Sequence, residues 1–390
     1  MAKAAYIGVD SVAQKVKKIY IGVDGVARKV KKAYIGVDCV ARLFYQSKLN
    51  LKRYGTATGL SAACYSPGAA TIGNYALIAG GQTGTSTFSS NVNAYNKSLT
   101  KSSATALSAA RSEMGAASVG DHALFAGGYI YSKKSSAVDA YDSALTRLDA
   151  TALAQSRAHL QGVNVGNYAL FVGGDTPSGT RGCKDVEAFD KSLTKTTPTE
   201  LSTGRQSFAA ARVGDYAIVA GGYTYSTITP TAEAYDASLT KVASVSEISQ
   251  AKQNLAGATA GSHALFAGGI YQQSESGSAW SYSSDTVDAY DKSLTRTAIP
   301  ALSAKLSYLA GATLDEYAIF AGGTTTVRSS TSTVSNVVNS YDASLTRTVQ
   351  SALAVARNNL AGVTIGNYAL LAGGRNDSSF YNTVDVYEAS

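Results

Sequence analysis

Residues 361–374 read Ala-Gly-Val-Thr-Ile-Gly-Asn-Tyr-Ala-Leu-Leu-Ala-Gly-Gly. A run of small and β-branched residues meets a turn, and a short apolar run then ends in a glycine doublet. The doublet occurs seven times: Gly80-Gly81, Gly127-Gly128, Gly173-Gly174, Gly221-Gly222, Gly268-Gly269, Gly322-Gly323 and Gly373-Gly374. Successive doublets lie 47, 46, 48, 47, 54 and 51 residues apart, a period that signals a repeat architecture. Thirteen to 21 residues after each doublet stands an aromatic-acid pair or its near equivalent: Tyr95-Asn96, Tyr141-Asp142, Phe189-Asp190, Tyr235-Asp236, Tyr290-Asp291, Tyr341-Asp342 and Tyr387-Glu388. Most of these pairs lead into Ser/Ala-Leu-Thr.

Each unit reads as four short strands. The small-residue stretch is the first, the apolar run the second, Val-Asp-Ala-Tyr or a variant the third, and the stretch around Ser-Leu-Thr-Lys the fourth. Alanine and glycine in the first strand suit a crowded axis where inner strands converge. The doublet gives the backbone conformations denied to residues with a Cβ. Four-stranded units repeated radially leave only short, protected edges. The chain stops at Ser390, after the third strand of the last unit, while residues 49–61 align with the fourth-strand stretch Leu99 to Ser108. The fold expected is therefore all-β: a seven-bladed β-propeller over residues 49–390, its last blade completed by an outer strand from the N-terminal side.

These hydrophobic-Gly-Gly runs and downstream Tyr-Asp pairs resemble the Kelch-repeat β-propellers, over about residues 49–390. The tryptophan usual in that family a few residues after the tyrosine is missing from every unit, and the single Trp280 falls between units' strands. The resemblance implies the fold and names no partner.

Residues 1–48 form a second module. Tyr6-Ile-Gly-Val-Asp, Tyr20-Ile-Gly-Val-Asp and Tyr34-Ile-Gly-Val-Asp are 14 residues apart, separated by Val-Ala-Gln/Arg-Lys-Val-Lys-Lys or its start. Val9, Val12, Val16, Ile19, Val23, Val26 and Val30 alternate spacings of three and four, as a coiled-coil heptad would. Gly8, Gly22, Gly25 and Gly36 argue against a helix, each costing about 1 kcal/mol in a helix interior. Asp24-Gly25 is a two-residue hairpin turn. A small β-meander is the expectation, with a coiled coil as the alternative. The 14-residue repeats resemble those at the N-termini of minor structural and tail-associated proteins of phages and prophages. That resemblance implies a virion protein, assembled in the bacterial cytoplasm, whose N-terminus anchors to other virion proteins or joins copies of itself.

Composition narrows the class further. Apolar residues make up 45% of the 390 and charged residues 16%, which suits a folded core rather than a disordered chain. The net charge of +7 is uneven: residues 1–53 hold 12 Lys/Arg against three Asp, and the remainder 22 basic against 24 acidic residues. The basic balance thus belongs to the N-terminal module. Lys15, Lys17, Lys18, Lys29, Lys31 and Lys32 could grip phosphates, but no nucleic-acid motif accompanies them, so a solvated or protein-docking face is expected. No stretch approaches the roughly 18 apolar residues of a membrane span, and the first residues lack the apolar run of a secretory signal. Cys39, Cys64 and Cys183 are too few and scattered for a disulfide framework or metal cluster.

No catalytic constellation stands out, so no enzyme, cofactor or metal is expected. His122 and His263 occupy a slot that holds tyrosine in five other units, and His159 stands alone. Arg111, Arg157, Arg205, Lys252, Lys305 and Arg357 precede the first strands at equivalent places, with Cys64 breaking the series. They could ring the axis as an anion site; the preferred expectation pairs each with the carboxylate of a Tyr-Asp unit. The loops between second and third strands are the irregular feature, and binding residues concentrate on such loops. The fifth blade carries an insertion with Tyr271, Trp280 and Tyr282, and the sixth a Thr/Ser-rich one from Thr324 to Ser335. Tyr129 and Tyr131 match Tyr223 and Tyr225 in position. Up-and-down strands put all these loops on one face. Aromatic residues in a Ser/Thr setting suit adaptable recognition. The expected function is non-enzymatic: a phage tail- or fibre-associated protein whose loop face, through Trp280, Tyr271, Tyr282, Tyr129, Tyr131, Tyr223 and Tyr225, meets a host-surface glycan or protein. The alternatives are a glycan-processing enzyme using that face, or an intracellular bacterial Kelch adaptor binding protein.

Overall fold

Every unit announced by a glycine doublet folds as an antiparallel sheet whose strands follow in chain order. The computed structural model describes residues 6–9, 12–15, 20–23, 26–29, 32–37, 40–46, 50–177, 182–275, 278–328 and 331–390. The chain divides into two compact units, Met1–Asn50 with Ser390, and Leu51–Ala389. The larger unit is a seven-bladed β-propeller. Its first blade comprises Gly68–Ile72, Tyr75–Ala79, Val92–Asn96 and Lys101–Ala104, and blades two, three, five and six repeat that plan.

The ring closes as the offset ends predict. Blade seven contains Ala361–Ile365, Tyr368–Ala372 and Val384–Ala389, and its outer strand is Leu51–Ala57. The pairing runs from Val384↔Ala57 to Ala389↔Leu51, with a bulge that leaves Tyr54 between the partners of Val386 and Tyr387. Blade four departs from the plan. Its third strand, Ala232–Asp236, is followed by a single bridge, Tyr235↔Lys241, in place of a fourth strand. Val242 and Val245 turn inward against the core between blades four and five, so the chain does not run along the edge.

Small residues decide how closely blades approach at the axis. The seven first strands line one channel of about 610 Å³. A Cβ on Gly257 would collide with the Ala210 carbonyl, on Gly311 with that of Gly257, and on Gly362 with that of Gly311. Across the closure, Thr71 Oγ1 donates to the Thr364 carbonyl at 2.6 Å. The doublet works by a different geometry. Gly127 and Gly128 have φ of +67° and +111°, and a Cβ would lie 2.5 Å from the Arg157 carbonyl and 2.7 Å from that of Ser112.

The core lies between blades. Ile72, Leu77 and Val92 of blade one pack against Met114, Phe125 and Tyr141 of blade two, and the same arrangement joins blade seven to blade one through Leu370, Val384, Ile78 and Tyr95. The repeated tyrosine also ties five of the blades to the one before them, while Tyr141 makes no such bond and blade three carries Phe189. The hydroxyls of Tyr95, Tyr235, Tyr290, Tyr341 and Tyr387 donate to the carbonyls of Thr58, Thr199, Ser246, Pro300 and Ser351.

The N-terminal unit is β-structure. Tyr6–Val9 pairs with Val12–Lys15, Tyr20–Val23 with Val26–Lys29, and Lys32–Val37 with Val40–Gln46. The heptad spacing of its valines therefore does not build a helix; each repeat folds on itself, with its glycine inside a strand. Among the described residues these are three separate two-stranded hairpins, not one continuous meander. The expected Asp24-Gly25 turn, Lys17, Lys18, Lys31 and Cys39 lie outside the described residues.

Candidate functional site

The repeated basic residues belong to the interior. Arg111, Arg157, Arg205, Lys252 and Arg357 are fully buried. Each pairs within its own blade: Arg111–Asp139 at 2.7 Å, Arg157–Glu187 at 2.7 Å, Arg205–Glu233 at 2.5 Å, Lys252–Asp288 at 3.6 Å and Arg357–Asp385 at 2.9 Å. They form no anion site on the axis. The carboxylate in each pair is not the one expected. It stands two residues before the aromatic, whereas the Asp after the aromatic caps its own turn; Asp142 Oδ1 accepts the N–H groups of Ala144 and Thr146 at 3.0 and 2.9 Å.

Lys305 also requires correction. In every blade the main-chain carbonyl of this slot accepts the N–H of a doublet's second glycine, and in blade six the acceptor is Leu306, with Lys305 exposed beside it. The slot holds Cys64 in blade one and Leu306 in blade six. In those same two blades, and in no other, the acid is replaced by asparagine, Asn93 and Asn339. Cation and carboxylate thus come and go together within one chain. Burial pushes the Lys252 ammonium down to about 8 and the Cys64 thiol up to about 12; both groups are enclosed, Lys252 beside Asp288, where no ligand reaches them.

The loops joining second to third strands share one face with the segments that lead into the first strands. Bridges such as Ser112↔Tyr129, Gln253↔Ile270 and Asn358↔Arg375 stitch the two sets together. The longest insertions are hairpins rather than irregular loops. Ile270–Glu275 pairs with Ser278–Ser283, and Thr324–Val327 with Thr331–Val334. Register puts Tyr271 opposite Tyr282 and Gln273 opposite Trp280, so all three predicted aromatics share one hairpin face. Tyr271 and Tyr282 stack with centroids 5.7 Å apart. Trp280 is half-buried.

The neighbouring hairpin locks this one in place. Tyr282 Oη donates to Glu275 Oε1 at 2.6 Å, and Arg328 reaches across from blade six to Glu275 Oε2 at 2.6 Å. Ser283 Oγ donates to the Thr324 carbonyl and accepts the Thr326 N–H, both at 2.9 Å. The hydrogen bond from Tyr282, supported by Arg328, holds the Glu275 carboxyl below its ordinary range. Two insertions from adjacent blades therefore form one raised lip.

Tyr129, Tyr131, Tyr223 and Tyr225 sit on blades two and four. Tyr129 and Tyr223 are held in the bridges to Ser112 and Gln206, while Tyr131 and Tyr225 are 63% and 73% exposed. Among the described residues no ring contact joins Tyr129, Tyr131 or Tyr225 to the blade-five aromatics. Tyr129 instead neighbours Phe88, at 6.1 Å.

One ring of residues escaped the sequence reading. Ser66, Glu113, His159, Ser207, Asn254, Tyr308 and Asn359 occupy one repeat position, and all have φ between +51° and +57°. Six backbone hydrogen bonds of 2.7–3.2 Å link them in an arc running Ser207, Asn254, Tyr308, Asn359, Ser66, Glu113, His159. They surround the axial mouth on the loop face, above a cavity of about 190 Å³. His159 Nε2 lies 3.1 Å from Glu113 Oε2. Burial pushes the Glu113 carboxyl up, and His159 and Arg375 draw it back. Beside the mouth, Tyr65 stacks on Phe380 at 5.3 Å and carries the Arg375 guanidinium at 4.4 Å from its ring centroid. The signal was present in the sequence as a position two residues after the buried-cation slot whose residue changes almost blade by blade.

Among the described residues no group of three or more His, Cys, Asp or Glu is arranged to hold a metal, and no helix is long and apolar enough to cross a membrane. Comparison with known proteins finds no matching family model and no matching curated protein.

Proposed function

We propose that this protein is a non-enzymatic recognition protein whose loop face engages a surface ligand, a glycan or a protein, on a host cell. The observation that carries the reading is the lip built by blades five and six. A run of five short connections is interrupted by two hairpins locked by Arg328, Glu275 and Tyr282, which present Tyr271, Trp280 and Tyr282 on one face. A rigid scaffold holding aromatic groups in a polar setting is the economy of recognition surfaces: little conformational freedom is lost on binding. The doublets and Tyr-Asp pairs support reading the propeller as Kelch-like. The Tyr-Ile-Gly-Val-Asp repeats extend the reading to a phage tail- or fibre-associated protein anchored through residues 1–48.

Trp280→Ala is expected to weaken attachment to host cells at least tenfold. A truncated aromatic hot spot loses about 2 kcal/mol or more, and roughly 1.4 kcal/mol is a factor of ten. Thermal melting should be nearly unchanged, because the hairpin stands outside the repeated core. Undiminished attachment places the contact elsewhere, and a large melting loss makes Trp280 a structural residue. The anchoring half of the reading predicts that mass spectrometry detects the protein in purified particles; its absence from every virion fraction removes that half.

A further inference from the structure

We infer that the axial mouth of the loop face binds a single neutral sugar ring, an inference that rests on the recognition reading above but places the ligand away from the aromatic lip. The first support is the contrast between two sets of left-handed residues. Leu99, Leu145, Leu193, Leu239, Leu294 and Leu345 also have positive φ, and their slot holds leucine in all six copies because the side chain packs into the core. The mouth slot has the same backbone requirement, yet it holds five different residue types in seven blades, all of them polar or aromatic. Glycine would meet that requirement without strain, and this chain uses glycine freely for positive φ elsewhere. Side chains retained against the backbone's preference at all seven copies point to selection by a ligand rather than by the fold.

The second support is the chemistry of the cavity. Ser207, Asn254 and Tyr308 line it, and among the described residues their side chains hydrogen-bond to no other protein group. Hydroxyls and amides both donate and accept, as the hydroxyls of a sugar do. Leu255 and Leu309 form an apolar floor, and Tyr308 adds a ring on which a pyranose face can rest. No lysine or arginine lines the cavity, and the basic groups nearby are already engaged, His159 with Glu113 and Arg375 on the Tyr65 ring, so a phosphate or sulfate would find no free charge to pair with. At about 190 Å³ it is smaller than the roughly 300–1,000 Å³ pockets that take drug-sized ligands. One ring fits that space, whereas a longer chain would have to continue outward across the face.

The test is titration calorimetry of the full chain against free glucose, galactose, mannose, rhamnose, N-acetylglucosamine and N-acetylgalactosamine. The expected result is saturable binding of at least one of them. That binding should fall tenfold or more in the double variant Ser207→Gly with Asn254→Gly and in Tyr308→Gly, and stay unchanged in Trp280→Ala. Because glycine relieves the left-handed strain, the Ser207/Asn254 variant should melt at or above the parent temperature, so a loss of binding cannot be ascribed to unfolding. Binding of none of the six sugars overturns the inference. So does sugar binding that survives the glycine variants and vanishes in Trp280→Ala, an outcome that would leave the recognition reading intact. Conversely, sugar bound at the mouth by a protein that fails to attach to host cells would uphold the mouth and remove the host-surface reading.

Discussion

Asp139→Asn is expected to destabilise the propeller by about 3–5 kcal/mol, because it strands the fully buried Arg111 without its carboxylate. Arg111→Leu alone should cost a comparable amount, leaving Asp139 with Arg147, 3.7 Å away and on the outer strand, as its only nearby cation among the described residues. The double variant is the informative one, since it installs in blade two the pair that blade six already carries, Leu306 with Asn339. Asn retains an acceptor for the Ser108 N–H, which Asp139 Oδ2 now accepts at 3.1 Å, as Asn339 does for Ser303. The double variant should therefore recover most of the loss and stand within about 1–2 kcal/mol of the parent, since exchanging a buried pair for apolar packing is often close to neutral. Melting and urea midpoints on all four proteins measure this coupling. Losses that simply add would show that the coincidence of Cys64 with Asn93 and Leu306 with Asn339 has no energetic basis.

That pairing also marks where sequence reading ends. The doublet-to-aromatic period gave seven blades, because glycine at a strand end and an aromatic at a blade interface are demands of the fold itself. The offset between Ser390 and residues 49–61 gave the closure for the same reason. The partner of each buried cation was misassigned, since Tyr-Asp is the more conspicuous motif and alternation along a strand decides the matter. Asp139, two residues before Tyr141, points into the same blade interior as that aromatic, while Asp142 lies beyond the strand in the turn. Lys305 was misread because the repeat shifts by one residue in blade six, and only the hydrogen bond from Gly269 to the Leu306 carbonyl fixes the slot. In the first module, valines spaced three and four apart fit a helix face as well as hairpins; the glycines were the better guide. The mouth ring stayed hidden because its signal is variability, which a search for recurring motifs discards.

The second large effect concerns closure. Deleting residues 1–60 removes the strand Leu51–Ala57 and leaves Val384–Ala389 as a free edge, with its main-chain groups unpaired along one side. It also removes Arg53, whose guanidinium donates to Asp385 Oδ1 at 2.6 Å, and Leu60, which is buried between blades seven and one. The hydroxyl of Tyr95 loses its acceptor, the Thr58 carbonyl, at the same seam. Because the first and last blades meet only through this seam, each lost contact weakens the whole ring rather than one sheet. The shortened protein should lose its cooperative melting transition or shift it down by more than about 10 °C, the equivalent of several kcal/mol in a unit of this size. It should also aggregate more readily, as an unprotected edge strand does. Deleting residues 1–45 spares the closing strand and should move the transition by no more than roughly 2 °C, about 1 kcal/mol. Differential scanning calorimetry with light scattering on the two deletions decides the matter. A peptide spanning residues 49–61, added to the larger deletion, should restore part of the lost stability if strand pairing is the cause. Equal melting of both deletions would mean that the seam holds without its outer strand.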